Sequence, residues 1–397
     1  MLDFSYWNTF LGGVNQHMPS NTDSPKPTVL VIDDEAGPRD ALKVILRPFF
    51  NVQSAENAST ALDILNRHPV DLITLDQKLP DRHGMDLLQE IKNSHVDTEV
   101  IIVTGYGSLK SAMDGIRYGA AGYLLKPFNV TELITLINQT LEKKRRLDFI
   151  RTFFRSSSDL WGTEPESAQA WQALQSGYAA LGADNQRPAP VAGKDFEWLP
   201  LLSDVLEAAD RHLLNHSSRV SFYATLIGNR LNLTPAQQKS LTLGAFLHDI
   251  GKAVSALHHS SDEQHQAPST QTDPLKEHPD RGALLLRHTG LSAEISQIIL
   301  CHHERWDGQG FPHGLQAEGI PFLARIVALA QTFDHLTTDP PDSSPLSVDE
   351  AIDRISSQAH TYFDPTLTNL FSQVINECKH SLPPMAIAAT TAERRKS

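Results

Sequence analysis

Residues 28–34 read Thr-Val-Leu-Val-Ile-Asp-Asp, an aliphatic run of strand length that ends in two carboxylates. Comparable runs recur along residues 28–146, and between them apolar residues recur at the helical period. The predicted strands are Thr28–Ile32, Asp71–Leu75, Val100–Thr104 and Gly122–Leu125. The predicted helices are Ala41–Phe49, Ala58–Leu65, Met85–Ile91, Ser111–Tyr118 and Thr131–Leu141. This alternation predicts an α/β doubly wound domain, a five-stranded parallel sheet covered by helices on both faces.

Polar side chains stand where the predicted strands end. Asp33 and Asp34 follow the strand Thr28–Ile32, Asp76 follows Asp71–Leu75, Thr104 ends Val100–Thr104 and Lys126 follows Gly122–Leu125. The carboxyl ends of parallel strands converge at one edge of the sheet. Three carboxylates there make a hard oxygen site suited to Mg²⁺, and one of them is a candidate nucleophile toward a phosphoryl donor. The alternative is an acidic edge that serves only solubility.

These residues, together with Asp76-Gln-Lys-Leu-Pro80 leading to Gly84 and the run Gly119–Pro127, resemble the receiver domain of bacterial response regulators. The resemblance implies that Asp76 accepts a phosphoryl group from a cognate histidine kinase. It implies a Mg²⁺ ion held by Asp33, Asp34 and Asp76. It further implies phosphoryl contact by Lys126 and a switch pair formed by Thr104 and Tyr123.

The second half of the chain concentrates the histidines, since 14 of the 18 lie after residue 210. His248 and Asp249 are adjacent, and such a pair can hold one divalent metal and bridge to a second. His278 and the pair His302-His303 follow, and they can complete the ligand set from other helices. From Phe196 onward the pattern predicts helix after helix. We therefore expect an all-α domain that contains a metal centre.

Five stretches of this half resemble signatures of the HD-GYP family, a subset of the HD superfamily of phosphohydrolases. They are His216-Ser-Ser-Arg-Val220, His248-Asp-Ile-Gly-Lys252, His278-Pro279, His302-His-Glu-Arg-Trp-Asp-Gly-Gln-Gly-Phe-Pro312 and Tyr362-Phe-Asp-Pro365. The resemblance implies two divalent metals such as Fe or Mn and hydrolysis of cyclic di-GMP or its linear dinucleotide product. The implied ligands are His216, His248, Asp249, His278, His302 and His303. Lys252 is the implied contact to the scissile phosphate.

The chain departs from the family pattern at several positions. His212 stands where a metal-binding Glu is common, and it shares a helical face with His216. Gln331 replaces a metal-binding Asp, and Asp334, three residues on, is a candidate substitute ligand. A site that loses an anionic ligand should hold its metal more weakly.

Two further departures concern the substrate. Phe311 replaces the signature tyrosine, and Asp339-Pro-Pro-Asp342 replaces a basic segment. Cyclic di-GMP should therefore bind less well than to a full-motif member. A linear dinucleotide or an unrelated substrate stays open.

Two classes of function follow. The first is a response regulator whose output is a metal-dependent phosphodiesterase, with a homodimer as the expected assembly. The second is a catalytically impaired output that works by protein contact through the surface Gly310-Phe311-Pro312. Its expected partners are diguanylate cyclase-type signalling proteins.

Composition and length restrict the binding partners, the cellular compartment and the domain organisation that we expect. The net charge of −13 and the lack of a basic recognition helix argue against direct nucleic-acid binding. No apolar run approaches the ~20 residues that span a bilayer, so no membrane is expected. Two distant cysteines fit a reducing cytoplasm. We expect an N-terminal extension (1–27), the receiver domain (28–146), a helical and linker segment (147–195), the HD-GYP-like domain (196–383) and a disordered tail (384–397).

Overall fold

The computed structural model describes residues 26–105, 109–157, 164–183, 198–259, 274–338 and 344–379. The chain divides into two compact units, with the boundary between Arg145 and Arg146. The predictions for the N-terminal extension up to residue 25, for the linker at 184–194 and for the tail after 384 lie outside the described residues.

The first unit contains a parallel sheet with the strand order β2-β1-β3-β4-β5. The strands are β1 (Thr28–Ile32), β2 (Asn51–Ala55), β3 (Leu72–Leu75), β4 (Glu99–Thr104) and β5 (Gly122–Leu125). The sequence pattern does not locate β2, because Asn-Val-Gln-Ser-Ala is largely polar. This strand lies at an edge of the sheet, where it pairs on one side only and needs less apolar surface.

Five helices follow the strands in turn. They are α1 (Ala36–Leu46), α2 (Ala58–Arg67), α3 (Gly84–Ser94), α4 (Leu109–Arg117) and α5 (Val130–Ser156). Helix α1 begins earlier than predicted, because Pro38 lies in its first turn, where the missing N–H has no partner to lose. Helix α5 continues well beyond Leu141, through the basic stretch Lys143–Arg146.

The sheet is buried on both faces, as the predicted doubly wound fold requires. Leu30 and Ile32 of β1 belong to one apolar cluster, and Val29 and Val31 belong to another. Successive side chains of a strand point to opposite faces, so each cluster fills the space beneath one layer of helices. The predicted α/β fold of this unit is confirmed.

The second unit is built from helices. They are the end of α5, then α6 (Glu164–Ala183), α7 (Leu199–Ala209), α8 (Arg211–Arg230), α9 (Pro235–Leu247), α10 (Ile250–His259), α11 (Pro274–Leu286), α12 (Ala293–Cys301), α13 (Phe322–Thr338), α14 (Val348–Ser357) and α15 (Pro365–Cys378), with a 3-10 turn at Ala317–Gly319. No helix among the described residues combines the length and the apolarity that crossing a bilayer needs. The predicted all-α fold of this half is confirmed.

Two apolar clusters hold these helices together. In the first, Ile150 and Phe154 of α5 and Trp171 of α6 pack with Leu202 and Leu206 of α7. Residues 147–156 and 164–183 are therefore helical, and apolar side chains from both stretches contribute to this core. The second cluster joins α8 and α9 to α13, α14 and α15. Helices α8, α9 and α13 carry or adjoin residues of the candidate site, so the second cluster fixes its scaffold.

Candidate functional site

The carboxyl edge of the sheet in the first unit brings three predicted residues together. One carboxylate oxygen from each of Asp33, Asp34 and Asp76 lies within 4.8 Å of the others. Asp33 and Asp76 are buried and Asp34 is exposed. The backbone N–H of Asp76 donates to the carbonyl of Ile32, which holds β1 and β3 in register at this point. The acidic edge therefore has the oxygen donors that a Mg²⁺ ion prefers.

Lys126 adds a positive charge to this acidic edge. Its Nζ atom donates to Oδ2 of Asp33 and to Oδ2 of Asp76, each at 2.6 Å. Burial lowers the pKa of Lys126, but the two hydrogen bonds and charges outweigh it, so the pKa is raised above its ordinary value. The ammonium group is therefore charged and placed where it can contact an anion bound at Asp76.

The two residues predicted as a switch pair lie on neighbouring strands. Thr104 is fully buried at the end of β4. Tyr123 lies on β5, and its hydroxyl is 3.2 Å from the hydroxyl of Ser111 on α4. Their role in reporting phosphorylation stays a prediction.

Gly84 allows the approach of α3 to the acidic edge. A Cβ atom at this position would lie 2.5 Å from the backbone oxygen of Asp76 and 2.7 Å from Cα of Gln77. These contacts are with backbone, so no side-chain rotation relieves them. The glycine in the motif is therefore explained by packing against the residue that carries the predicted phosphoacceptor.

In the second unit, some predicted metal ligands lie at helix ends and junctions, whereas His216 and His278 lie within helices. His248 and Asp249 occupy the junction between α9 and α10, and His302 directly follows α12. His278 lies within α11, and its backbone packs against Gly251 of α10. A Cβ atom on Gly251 would come within 1.9 Å of the His278 carbonyl oxygen, so only glycine permits this helix contact. The contact brings His278 beside Asp249.

The structure brings all six predicted ligands into one cluster with two halves. The four-donor half contains Asp249, His278, His302 and His303, and the three-donor half contains His216, His248 and Asp249. In each half the donor atoms lie within 4.8 Å of one another. Asp249 belongs to both halves, which is the arrangement expected of a carboxylate that bridges two cations.

Hydrogen bonds define the tautomers of the buried histidines. Nδ1 of His248 lies 2.7 Å from the carbonyl oxygen of Ala245, and Nδ1 of His302 lies 2.7 Å from that of Ile299. A carbonyl only accepts, so each Nδ1 carries the proton and donates. In the neutral ring, Nε2 is then a lone pair directed into the cluster. A backbone partner behind the ring is typical of metal-binding histidines.

The pKa values keep these rings neutral. Burial lowers the pKa of His248 well below its ordinary value, against the opposing effect of Asp249. Burial likewise lowers the pKa of His302 and His303, assisted by their neighbouring imidazoles. Burial would raise the pKa of Asp249, but His248, the other imidazoles and Lys252 outweigh it and lower the pKa well below its ordinary value. The Asp249 carboxylate is thus an anion beside the neutral rings of His248, His302 and His303.

These donors fit divalent cations. Nε2 of His216 and Nε2 of His248 are 3.3 Å apart, and Nε2 of His278 and Nε2 of His302 are 3.1 Å apart. Two nitrogens at about 2.1 Å from one ion are about 3.0–3.4 Å apart for angles between octahedral and tetrahedral. Two further buried atoms, Oδ1 of Asp249 and Nε2 of His303, have no hydrogen-bond partner among the described residues. Buried polar atoms need a partner, and a cation would satisfy both.

Two residues that the sequence offered as candidate extra ligands lie outside both halves. Oδ1 of Asp334 accepts from Nε of Arg219 at 2.6 Å, and Oδ2 accepts from Nη2 of Arg219 at 2.9 Å and from Nδ1 of His216 at 2.7 Å. Both oxygens are therefore already engaged, Asp334 belongs to neither half, and it orients His216 through the hydrogen bond to Nδ1. His212 is exposed in the first turn of α8 and joins neither half. Sharing a helical face with His216 did not place it in the cluster.

Gln331 and Lys252 border the cluster. Nε2 of Gln331 donates to the carbonyl oxygen of His302 at 3.1 Å, so this amide holds the backbone that carries a predicted ligand. Nζ of Lys252 donates to Oδ2 of Asp249 at 2.7 Å, and about a third of its side chain is exposed. The ammonium group therefore lies between the buried carboxylate and solvent, where an incoming phosphate can reach it.

The loop after His303 carries the predicted motif surface. The Phe311 ring stacks on the His303 imidazole, with 4.7 Å between centroids and 18° between planes. A Cβ atom on Gly310 would lie 2.3 Å from the Arg305 nitrogen, so the loop requires glycine there. Phe311 and Pro312 are partly exposed. The predicted acidic segment Asp339–Asp342 lies outside the described residues.

Glu304 and Arg219 are site residues that the sequence reasoning missed. Glu304 is buried, and its two oxygens accept from the backbone N–H groups of His313 at 2.7 Å and Leu315 at 2.9 Å. This carboxylate holds the loop that carries Phe311. Arg219 lies three residues after His216 on α8, and that spacing was the available signal, because it puts both residues on one helical face.

Comparisons with known proteins agree with this division. A family model described as the response regulator receiver domain matches residues 29–138, and one described as the HD domain matches residues 200–367. The chain is 27% identical over 373 residues to a probable cyclic di-GMP phosphodiesterase of Vibrio cholerae serotype O1, a match covering 89% of this chain and 79% of that protein.

Two further relatives match at similar length. Identity is 26% over 360 residues to a cyclic di-GMP phosphodiesterase of Thermotoga maritima, covering 88% of this chain and 91% of that protein. It is 26% over 350 residues to the cyclic di-GMP phosphodiesterase response regulator RpfG of Xanthomonas campestris pv. campestris, covering 85% of each. The chain therefore carries a receiver domain at residues 29–138, followed by an HD domain at residues 200–367.

Proposed function

We propose that phosphorylation of Asp76 by a histidine kinase controls a metal-dependent phosphodiesterase in the HD domain, which hydrolyses cyclic di-GMP or its linear dinucleotide product. The observation that carries this proposal is the cluster of six donors around the shared, buried carboxylate of Asp249. The relatives at 26–27% identity are named as cyclic di-GMP phosphodiesterases, which supports this substrate class.

The HD residues divide into ligands and a phosphate contact. Two divalent metals such as Fe or Mn, held by the two halves, would activate water for attack on phosphorus and stabilise charge on the phosphate oxygens. The neutral rings supply lone pairs without needing to lose a proton first. Lys252 moves from Asp249 toward the scissile phosphate as a mobile positive charge. The Phe311 ring keeps water from one face of His303.

The receiver residues perform the phosphoryl transfer. Asp76 is the nucleophile, and Asp33 and Asp34 would hold a Mg²⁺ ion together with it. Lys126, already bonded to Asp33 and Asp76, balances the negative charge that the phosphoryl group adds. Thr104 and Tyr123 are the residues through which the change is reported.

A second candidate is a non-catalytic output that acts by contact with diguanylate cyclase-type proteins. The observation that favours it is Gln331, a neutral amide engaged with the His302 carbonyl instead of an anion facing the cluster. Asp249 is the single carboxylate in the two halves. In this case, the partly exposed surface Gly310-Phe311-Pro312 is the contact region.

Metal content and turnover separate the two candidates. The purified chain is measured for bound metal and for product from cyclic di-GMP and from the linear dinucleotide, with Mn²⁺ or Fe²⁺ under reducing conditions. His248→Ala removes a ligand, and His212→Ala is its matched control because it changes an exposed histidine outside the cluster. We expect turnover in the wild type and His212→Ala and loss of turnover in His248→Ala. Metal without any turnover of either nucleotide would reject the enzyme.

A further inference from the structure

The two halves of the cluster differ in their donors. The four-donor half offers one carboxylate and three imidazoles, and the three-donor half offers the same carboxylate and two imidazoles. Each half has one partly exposed imidazole, His303 in the first and His216 in the second, and its other donors are buried. Closed four-ligand sites are typical of permanently bound metals, and three-ligand sites leave a position open for water or substrate.

Charge separates the halves further. Asp249 supplies a single negative charge to both, and Lys252 already occupies its Oδ2 atom at 2.7 Å. A cation that binds second therefore meets the repulsion of the first without a carboxylate of its own. This repulsion lowers the metal affinity of the half with fewer donors.

Helix α13 passes both halves and adds an anion to neither. Gln331 and Asp334 are three residues apart and lie on one face of this helix. Gln331 donates to the backbone at His302, beside the four-donor half. Asp334 bonds to His216 of the three-donor half, but both its oxygens are also held by Arg219. Its effect on that half acts through the orientation of His216.

We infer that the two halves bind divalent cations with unequal affinity. The four-donor half holds a resident cation, and the three-donor half holds an exchangeable one, whose affinity depends on the positioning residues Asp334 and Arg219. This inference rests on the proposed function, because it assigns the exchangeable position to the half that keeps room for a phosphate oxygen. It also predicts that activity follows the free metal concentration, since the weaker half must fill before turnover.

Binding of Mn²⁺ to the metal-stripped full chain, measured through the electron paramagnetic resonance signal of free Mn²⁺, tests the inference without activity. Each step is assigned by the variant that removes or weakens it. His303→Ala should weaken the tight step to about the affinity of the weak one, and His216→Ala should remove the weak step and leave the tight one. Asp34→Asn identifies any step at the acidic edge of the receiver. His212→Ala should bind as the wild type does.

We expect the metal affinities of the two HD steps to differ by about tenfold or more. The loss of an orienting partner alone costs about 10- to 100-fold in metal affinity, and the three-donor half has one ligand fewer than the four-donor half. Asp334→Asn should weaken only the weak step, by about the same 10- to 100-fold. Circular dichroism and melting confirm folding, and His303→Gln replaces His303→Ala where that variant does not fold.

Equal affinities, or loss of the tight step in His216→Ala, would overturn the inference while leaving the proposed enzyme intact. The proposed function fails separately, if both steps fill and neither nucleotide is cleaved.

Discussion

Gly251→Ala tests whether the contact between α10 and α11 builds the metal cluster. The new Cβ atom would lie 1.9 Å from the His278 carbonyl oxygen and 2.8 Å from the Gly282 nitrogen. Contacts under 3.0 Å are essentially never seen for real Cβ atoms, so the helices must separate by at least 3.0 − 1.9 = 1.1 Å. Ligand distances in metal sites tolerate about 0.2 Å. The displacement of His278 from Asp249 is therefore several times larger than a metal site accepts.

The expected cost combines two effects. Overpacking a close contact costs about 1–3 kcal/mol. Alanine regains about 0.5–1 kcal/mol of helix propensity relative to glycine, which offsets part of that cost. For a unit of this size each kcal/mol lowers the melting temperature by about 2–4 °C. We expect a modest fall in melting temperature accompanied by a large loss of bound metal.

Gly319→Ala is the matched control, because a Cβ atom there would meet nothing within 4 Å. Melting is followed by calorimetry, metal content by mass spectrometry of the purified chain, and turnover with the nucleotides named above. If Gly251→Ala binds metal as the wild type does, the close approach of α10 and α11 does not position His278, and the packing argument is wrong.

Three further results are expected. Glu304→Gln leaves one of the two backbone donors at His313 and Leu315 without an acceptor, so melting should show that the free energy of unfolding falls by about 1–3 kcal/mol. An unchanged melting curve would show that other contacts hold the loop. The metal-free chain should lose stability as the pH falls below about 6.5, because the three cluster histidines with lowered pKa stay neutral when folded and bind protons when unfolded. The free energy of unfolding should then fall by up to about 1.4 kcal/mol per pH unit for each ring. Denaturant midpoints that do not change with pH would contradict this prediction. Lys126→Met should slow phosphoryl uptake from a small acyl phosphate by about 10²-fold, since no cation then balances the phosphoryl charge; uptake at the wild-type rate would remove Lys126 from the mechanism.

Much of the fold could be predicted because its pattern is local. Four strands are predicted correctly from their aliphatic runs, and the polar residue after each run marks where the strand ends. The β2 strand escaped, because an edge strand packs on less apolar surface and its letters Asn-Val-Gln-Ser-Ala carry little signal. Helix α1 was placed too late, since Gly37 and Pro38 suggest a loop unless the first turn of a helix accepts them.

The candidate site could likewise be predicted only in part. The amino-acid sequence by itself determined which side chains can serve as donors, because the residue types and their order after each helix or strand are written in it. It could not determine where a side chain points. Asp334 and His212 both sit at plausible spacing, yet one turns to Arg219 and the other to solvent. Only the packing of α13 against α8 decided between ligand and orienting group. Donor direction depends on contacts between residues more than a hundred positions apart, which no local pattern contains.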